Sequence, residues 1–103
     1  MKHALELATD SALPVVVLNE DNRYAAVLNL LGYDQKDIFI DVDKANKEIG
    51  IYAGRQGYDK KSVSFWIFSV PQDGVLERVA FRYKGGAFEM SVPKVPSVSV
   101  GAA

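Results

Sequence analysis

The sequence has no cysteine and a single histidine, His3. Without cysteine, neither a disulfide nor a thiolate-bound metal can form. One histidine leaves almost no material for a nucleophilic triad or a zinc site. His3 also stands in an N-terminal segment that offers it no obvious catalytic partners. We therefore expect no catalytic residue, no metal and no cofactor, and the chain is not predicted to be an enzyme.

Long hydrophobic runs and a surplus of one charge are also missing. No apolar run approaches the roughly 20 residues that a membrane span needs, and the first ten residues lack the apolar region and cleavage site of a signal peptide. Twelve basic residues face thirteen acidic ones, for a net charge of -1, which removes the electrostatic basis for general nucleic-acid binding. These absences predict a cytoplasmic protein that binds neither membranes nor nucleic acids.

What the chain does contain is a strand-like alternation of apolar residues. Hydrophobic residues make up 49% of the sequence, which is enough for a packed core. A chain of 103 residues can form one domain but is too short for two. The apolar period is two from Pro14 onward, and polar, glycine or proline positions separate the runs. The strand candidates span residues 14–18, 23–31, 37–43, 48–54, 62–70, 76–83 and 87–92. No convincing amphipathic helix interrupts them, so the pattern predicts an all-β fold, an antiparallel β-sandwich of seven to eight strands.

The segment 62–70 is apolar on both faces. Phe65 and Ile67 share one face of this strand, and Trp66 and Phe68 share the other. One pair should belong to the core. The second pair is either covered by another sheet or forms an exposed aromatic patch for a partner subunit or a non-native client protein.

Two short polar motifs have simple structural interpretations. The set Asp41, Asp43, Asn46 and Glu48 has some character of a calcium loop, but it lacks the glycine and ligand spacing of an EF-hand. A solvated strand edge is the better interpretation. The "GRQG" sequence at 54–57 matches the Gly-x-x-Gly of KH domains, but that loop joins helices and this one follows a strand.

Two adjacent glycines, Gly85 and Gly86, separate the last two strand candidates and favour a tight hairpin turn with positive φ angles. The surrounding sequence, "YKGGAFEMSVPK", resembles the closing signature of the small heat shock proteins, the Hsp20 or alpha-crystallin domain. In that family an Asn-Gly pair precedes Val-Leu and a strand that ends in Val-Pro-Lys. Gly86 and the Val-Pro-Lys of residues 92–94 match, whereas Gly85 replaces the asparagine and Ala-Phe replaces Val-Leu.

Three further blocks resemble the same family. "LNLLGYDQKDIFIDVD" (28–43) is similar to its Leu-Pro-Gly-Phe segment and the strand after it, with leucine in place of proline. "EIGIYAGR" (48–55) resembles Leu-x-Ile-x-Gly-x-Arg, and "FWIFSVPQDGV" (65–75) resembles Phe-x-Arg-x-Phe-x-Leu-Pro without the arginine. The resemblance implies an N-terminal arm at 1–12, an alpha-crystallin-like domain at 13–94 and a C-terminal tail at 95–103.

The resemblance also implies a function, that of an ATP-independent chaperone (a holdase) that binds exposed apolar segments of unfolding proteins. The implied groove for a client or a tail is lined by Ile38, Ile40, Val42, Val79, Phe81 and Tyr83. A V-x-V motif, Val98 and Val100, is similar to the family's tail tripeptide that inserts into this groove of a neighbour; the alternative is an end that happens to contain valines. The alternative function is an Hsp20/co-chaperone-like interaction module that binds one defined protein partner.

One departure from the family concerns assembly. Only nine residues separate Arg55 from Phe65, whereas the family members that exchange a strand between dimer partners use a longer loop here. About a dozen residues precede the first strand candidate, whereas large family assemblies often use a longer arm. The sequence therefore predicts a homodimer through edge strands, and it argues against a strand-swapped dimer and against a large oligomer. The dimer edge is expected along the strand 62–70, at Val63, Phe65, Trp66 and Phe68.

Overall fold

The computed structural model describes residues 4–54 and 63–96. Eight strands lie in this part of the chain: β1 (Glu6–Thr9), β2 (Val15–Asn19), β3 (Arg23–Asn29), β4 (Ile38–Asp43), β5 (Glu48–Gly54), β6 (Val63–Ser69), β7 (Ala80–Lys84) and β8 (Ala87–Pro93). Two single-turn 3-10 helices, Gln35–Asp37 and Leu76–Arg78, precede β4 and β7. Within those ranges no helix is long and apolar enough to span a membrane.

The strands form two four-stranded sheets, and every neighbouring pair is antiparallel. One sheet has the order β1-β6-β5-β4 and the other has the order β2-β3-β8-β7. Each of the inner strands contributes alternate apolar side chains to one core between the sheets. The predicted all-β sandwich of seven to eight strands is confirmed.

The largest fully buried side chains come from the inner strands β3, β5, β6 and β8 and from Leu30, which follows β3. They are Trp66, Tyr24, Phe68, Leu28, Leu30, Ile49, Ile51, Met90 and Val92. Trp66 and Phe68 are thus the core pair of β6, while Phe65 and Ile67 lie half-buried on the opposite face. Period-two patterning predicted the two faces, and the sheet order decided which of them is covered.

The Gly85-Gly86 turn has the geometry that its sequence predicts. Both glycines have positive φ angles, 59° and 83°, and Lys84 pairs with Ala87 directly across the turn. Two positive φ values in a two-residue loop are the pattern of a primed turn, which suits the right-handed twist of the flanking strands. The hairpin is also tied to the end of β3, because Leu30 donates its backbone N–H to the Gly86 carbonyl at 2.7 Å.

The predicted start of the strand at 76–83 is wrong. Residues 76–78 form a 3-10 turn, and β7 starts only at Ala80. The physical reason is local: Leu76 turns inward and is only 3% exposed, while the N–H of Val75 bonds to the Pro93 carbonyl at 2.8 Å. The chain is therefore held against β8 before it can extend.

The N-terminal arm contains a strand that the sequence did not reveal. Glu6–Thr9 pairs antiparallel with β6, so that Leu7 lies opposite Phe68 and Thr9 opposite Trp66. Leu5 is 7% exposed and joins the core, and Leu7 packs against it. Two inward-facing leucines spaced by two residues were too short a pattern to distinguish a strand from an arm.

The expected edge position of β6 is consequently wrong. This strand pairs with β1 on one side and with β5 on the other, so it has no free edge in the described fold. Its four predicted edge residues are Val63, Phe65, Trp66 and Phe68. Trp66 and Phe68 are fully buried in the core, Phe65 is half-buried and Val63 is 46% exposed.

Candidate docking groove

A groove lies between β4 and β7, which are the last strands of the two sheets on the same side of the sandwich. It encloses about 210 Å³ and is lined by Gln35, Ile38, Ile40, Phe81, Arg82, Tyr83 and Phe88. Four of the six residues predicted for a groove are therefore brought together here. They come from strands separated by about 40 residues of chain, so only the pairing of the two sheets creates the site.

Alternation along β4 and β7 explains why these side chains meet. Ile38 and Ile40 lie opposite Ala53 and Ile51, both of which are buried, so their side chains point toward the other sheet. Ile40 is nevertheless 40% exposed. An edge strand has a neighbour on one side only, which leaves the outer flank of its inward side chains open to solvent.

The floor and one wall of the groove are aromatic. Phe88 lies at the centre, with its ring centroid 5.9 Å from that of Phe81 and 6.3 Å from that of Tyr83. Both ring pairs are tilted, a favourable geometry for aromatic contacts. The Tyr83 hydroxyl donates a hydrogen bond to the Tyr33 carbonyl at 3.1 Å, which fixes this wall to the loop before β4.

Two of the predicted groove residues lie outside this cavity. Val42 pairs with Ile49 further along β4, and Val79 ends the 3-10 turn that precedes β7. Both are half-buried and pack against the core. They are therefore part of the packing around the core and do not line the groove.

The sequence did not point to Phe88, Gln35 or Arg82 as groove residues. Phe88 carried a usable signal, because it alternates with Met90 and Val92 on the inward face of β8. That β8 lies beside β7, and so beneath the groove, depends on strand order, which the alternation does not encode. Gln35 and Arg82 carried no signal beyond being polar.

The charged residue that lines the groove is Arg82 of β7. The carboxylates of β4, Asp41 and Asp43, alternate with Ile40 and Val42 and point to the outer face of their sheet. Asp43 accepts hydrogen bonds from the side chain and backbone N–H of Asn46, at 2.8 and 3.1 Å, and these bonds lower the pKa of its carboxyl. This carboxylate therefore holds the β4–β5 turn and is ionised at neutral pH.

The predicted tail motif, Val98 and Val100, lies outside the described residues. The chain is followed as far as Pro96. Lys94 forms an isolated antiparallel β-bridge with Gly74 through its backbone, and Val95 donates its N–H to the Asp73 carbonyl at 2.7 Å.

A second hollow, of about 450 Å³, lies on the β2-β3-β8-β7 sheet near the Gly85-Gly86 turn. Pro14, Val16, Val27, Leu31 and Ala87 are among the residues that line it. None of the described residues lines both this hollow and the groove. Leu31 is 71% exposed, which makes it a convenient control position for tests of the groove.

Metal binding finds no support in the described part of the chain. Within residues 4–54 and 63–96, no group of three or more histidine, aspartate or glutamate side chains is placed to hold an ion. The acidic residues on β4 form no such group: Asp41 is exposed on the strand, and Asp43 is hydrogen-bonded to Asn46.

Comparison with solved structures identifies the fold. The chain matches a small heat-shock protein from Xylella fastidiosa with a TM-score of 0.69 at 19% identity, covering 86% of this chain and 91% of that one. Stress-induced protein 1 from Caenorhabditis elegans gives a TM-score of 0.67 at 16% identity, with 82% and 91% covered. HSP18.5 from E. histolytica gives 0.68 at 14% identity, with 84% and 91% covered.

Comparison of the sequence alone finds no relative. No family model matches the chain, and no curated protein sequence is significantly similar to it. The sandwich is nevertheless of the Hsp20/alpha-crystallin type, as the four sequence blocks had indicated.

Proposed function

We propose that this protein is an ATP-independent holdase and that it binds apolar segments of unfolding proteins in the groove between β4 and β7. The observation that carries the proposal is the open apolar wall at Ile40, 40% exposed beside the aromatic floor of Phe81, Tyr83 and Phe88. The likeness of the fold to small heat-shock proteins supports it.

The groove suits an extended peptide for geometric reasons. Side chains two residues apart on a strand point the same way and lie roughly 7 Å from each other, so two apolar knobs can enter one groove. Among the described residues, β4 and β7 each have one unpaired side, and an incoming strand can bond to those backbone groups. Binding of this kind lowers the free concentration of aggregation-prone chains without refolding them.

The tail is the proposed competitor for the same groove. Val98 and Val100 are two residues apart and would present such a pair of knobs. Docking of the tail, in its own chain or in a neighbour, would keep the groove filled until a client displaces it. A chain shortened after Pro96 would then bind clients more tightly than the full chain.

A heat-aggregation assay tests the holdase. Several unrelated proteins are heated with substoichiometric amounts of the wild type, of Ile40→Asp and of the control Leu31→Asp. A bound client would cover the carboxylate of Ile40→Asp, so this variant should suppress light scattering less well, because an apolar client cannot solvate a charge. Leu31→Asp changes a more exposed apolar side chain outside the groove and should behave like the wild type.

Two outcomes would reject the proposal. If the wild type suppresses no aggregation and captures one protein tightly in a pull-down, the chain is a dedicated interaction module. If Ile40→Asp suppresses aggregation as well as the wild type, clients bind elsewhere.

Homodimer formation is proposed through a free edge, and β2 is the edge best suited to it. Self-pairing of β4 would bring Asp41 and Asp43 toward their own copies, and self-pairing of β7 would do the same for Arg82 and Lys84. β2 carries no charge, and Val16 and Val17 are 54% and 39% exposed. Native mass at micromolar concentration, by light scattering after gel filtration, should show a dimer that Val17→Lys dissociates; a monomeric wild type would reject it.

A further inference from the structure

The outer face of the β1-β6-β5-β4 sheet, the face turned away from the core, carries a row of three aromatic side chains. Phe39 on β4 lies directly opposite Tyr52 on β5, and Tyr52 lies directly opposite Phe65 on β6. Neighbouring strands are about 4.8 Å apart, so the row extends about 10 Å across the sheet. We call these three residues the aromatic row.

The aromatic row lies at the surface of the molecule. Phe39 is 64% exposed, and Tyr52 and Phe65 are half-buried. Their strand neighbours Ile51 and Trp66 are fully buried, which confirms that the row points away from the core. Large apolar side chains gathered on the solvent face of a sheet are a mark of an interaction surface.

Gly50 shapes this surface. A β-carbon at position 50 would lie 2.8 Å from both Cε2 and Oη of Tyr52, so the end of the tyrosine ring lies over the glycine. The ring is therefore directed along its own strand, close to the sheet, and does not stand out into solvent. Glycine inside a strand weakens the strand and often marks a close approach; here it makes room for a ring that lies against the sheet.

Carboxylates border the aromatic row on one side. Asp41 lies opposite Gly50 in the next row, and Asp43 lies opposite Glu48 in the row after that. Glu6 on β1 and Glu48 on β5 both pair with Ser69. Within the described residues, the outward positions of these four strands carry no lysine or arginine. The basic residues next to these strands in sequence are Lys44 and Lys47, between β4 and β5, and Arg55, which follows β5.

Within residues 4–54 and 63–96, neither Asp41 nor Glu48 forms a salt bridge. Like charges directly opposite each other on adjacent strands, as at Asp43 and Glu48, oppose sheet formation. A cation bound across them would relieve that repulsion.

We propose that this face binds a basic, extended polypeptide segment in which lysine or arginine alternates with apolar residues. The aromatic row would hold the apolar side chains and receive cations over its ring faces, and Asp41 and Glu48 would pair with the same cations. Arginine suits both roles, because its planar guanidinium stacks on rings and bonds to carboxylates. The carboxylates disfavour nucleic acid, whose phosphates they would repel.

This site is separate from the groove, because it lies on the opposite face of the same sheet. Ile38 and Ile40 point inward from β4, whereas Phe39 and Asp41 point outward. A substitution that removes binding at one site should therefore leave binding at the other unchanged, and a variant of each site can serve as the control for the other.

The test is a titration of the full chain with two synthetic peptides of equal length. One alternates arginine with valine and phenylalanine, and the other has glutamate in place of each arginine. Calorimetry gives the Kd, and chemical shifts of the isotope-labelled protein locate the contact. The basic peptide should bind at least about tenfold more tightly, should shift the amides near Tyr52, and should lose affinity as salt rises.

Three variants refine the test. Phe39→Ser and the double variant Asp41→Asn with Glu48→Gln should each weaken the basic peptide by about three- to tenfold. Ile40→Ser, on the inward face, should leave its affinity unchanged. Equal binding of both peptides, loss of binding in Ile40→Ser only, or binding that Phe39→Ser and the double variant both leave intact would overturn the proposal.

Discussion

Thr9 donates a hydrogen bond from its Oγ1 to the backbone carbonyl of Phe65 at 2.6 Å. The next residue, Asp10, accepts the backbone N–H of the same phenylalanine at 2.9 Å. Side chains thus continue the pairing of β1 with β6 one step beyond the last paired backbone positions. These two contacts fasten the N-terminal strand over what would otherwise be an unpaired apolar edge.

Removal of residues 1–10 should therefore convert the β6 edge into an association site. The shortened chain loses the burial of Leu5 and Leu7 and exposes the N–H and C=O groups of β6, which recruit a second strand. We expect a stable dimer or larger species by light scattering after gel filtration. A charge added on the same strand, Ile67→Lys in the shortened chain, should reduce it; a shortened chain that stays monomeric would show that β1 does not guard this edge.

Replacing Tyr24 by phenylalanine should destabilise the fold and alter its response to alkaline pH. The Tyr24 hydroxyl donates to Asp73 Oδ1 at 2.6 Å, and burial followed by this carboxylate raises the pKa of Tyr24 from 10.0 to about 12. Loss of the bond should cost about 1 to 2 kcal/mol at pH 7. Because the pKa is higher in the folded state, the stabilisation is complete below pH 10 and disappears as the pH rises from 10 to 12.

Urea unfolding at pH 7, 10 and 12 measures this effect. The wild type and Tyr24→Phe share the other four tyrosines and all lysines, so their difference isolates one hydroxyl. The gap in unfolding free energy should close as the pH approaches 12. A gap that is constant with pH would contradict the raised pKa.

The two hairpin glycines should differ in their tolerance of substitution. A β-carbon at Gly86 would lie 3.0 Å from Cδ1 and 3.2 Å from Cα of Leu31, whereas no atom of the described residues lies within 4 Å of one at Gly85. Gly86→Ala adds this crowding to a positive φ angle and should cost about 1 to 3 kcal/mol. Gly85→Asn should be close to neutral, since asparagine tolerates the left-handed conformation.

Thermal unfolding of both hairpin variants checks the prediction, with Gly85→Asn as the matched control. Equal losses in melting temperature would show that φ alone, and not contact with Leu31, sets the requirement.

Trp66 should tolerate phenylalanine better than its complete burial suggests. The side chain is 0% exposed, and its Nε1 has no hydrogen-bond partner among the described residues. Trp66→Phe removes this unsatisfied donor together with part of the ring, whereas Trp66→Ala leaves a cavity and should cost about 3 to 5 kcal/mol. Chemical denaturation should rank the two substitutions in that order, and similar losses would show that packing alone matters at this position.

The prediction from sequence succeeded where a property was local. The alternation Ile-Phe-Ile-Asp-Val-Asp at 38–43 fixed which side chains of β4 share the inward face, and Ile38 and Ile40 do line the groove. The glycine pair fixed the hairpin for the same reason, because a backbone with two positive φ angles is a property of two residues.

Properties that depend on neighbours in space were beyond the sequence. Whether β6 is an edge or a centre depends on four residues of the N-terminal arm, whose short Leu-Glu-Leu pattern is equally compatible with a helix or a strand. That Phe39, Tyr52 and Phe65 form one row depends on the register of two strand pairs. Alternation sets the face on which a side chain lies, but the partner it meets is chosen by hydrogen bonds between strands distant in sequence, and only the folded chain makes that choice.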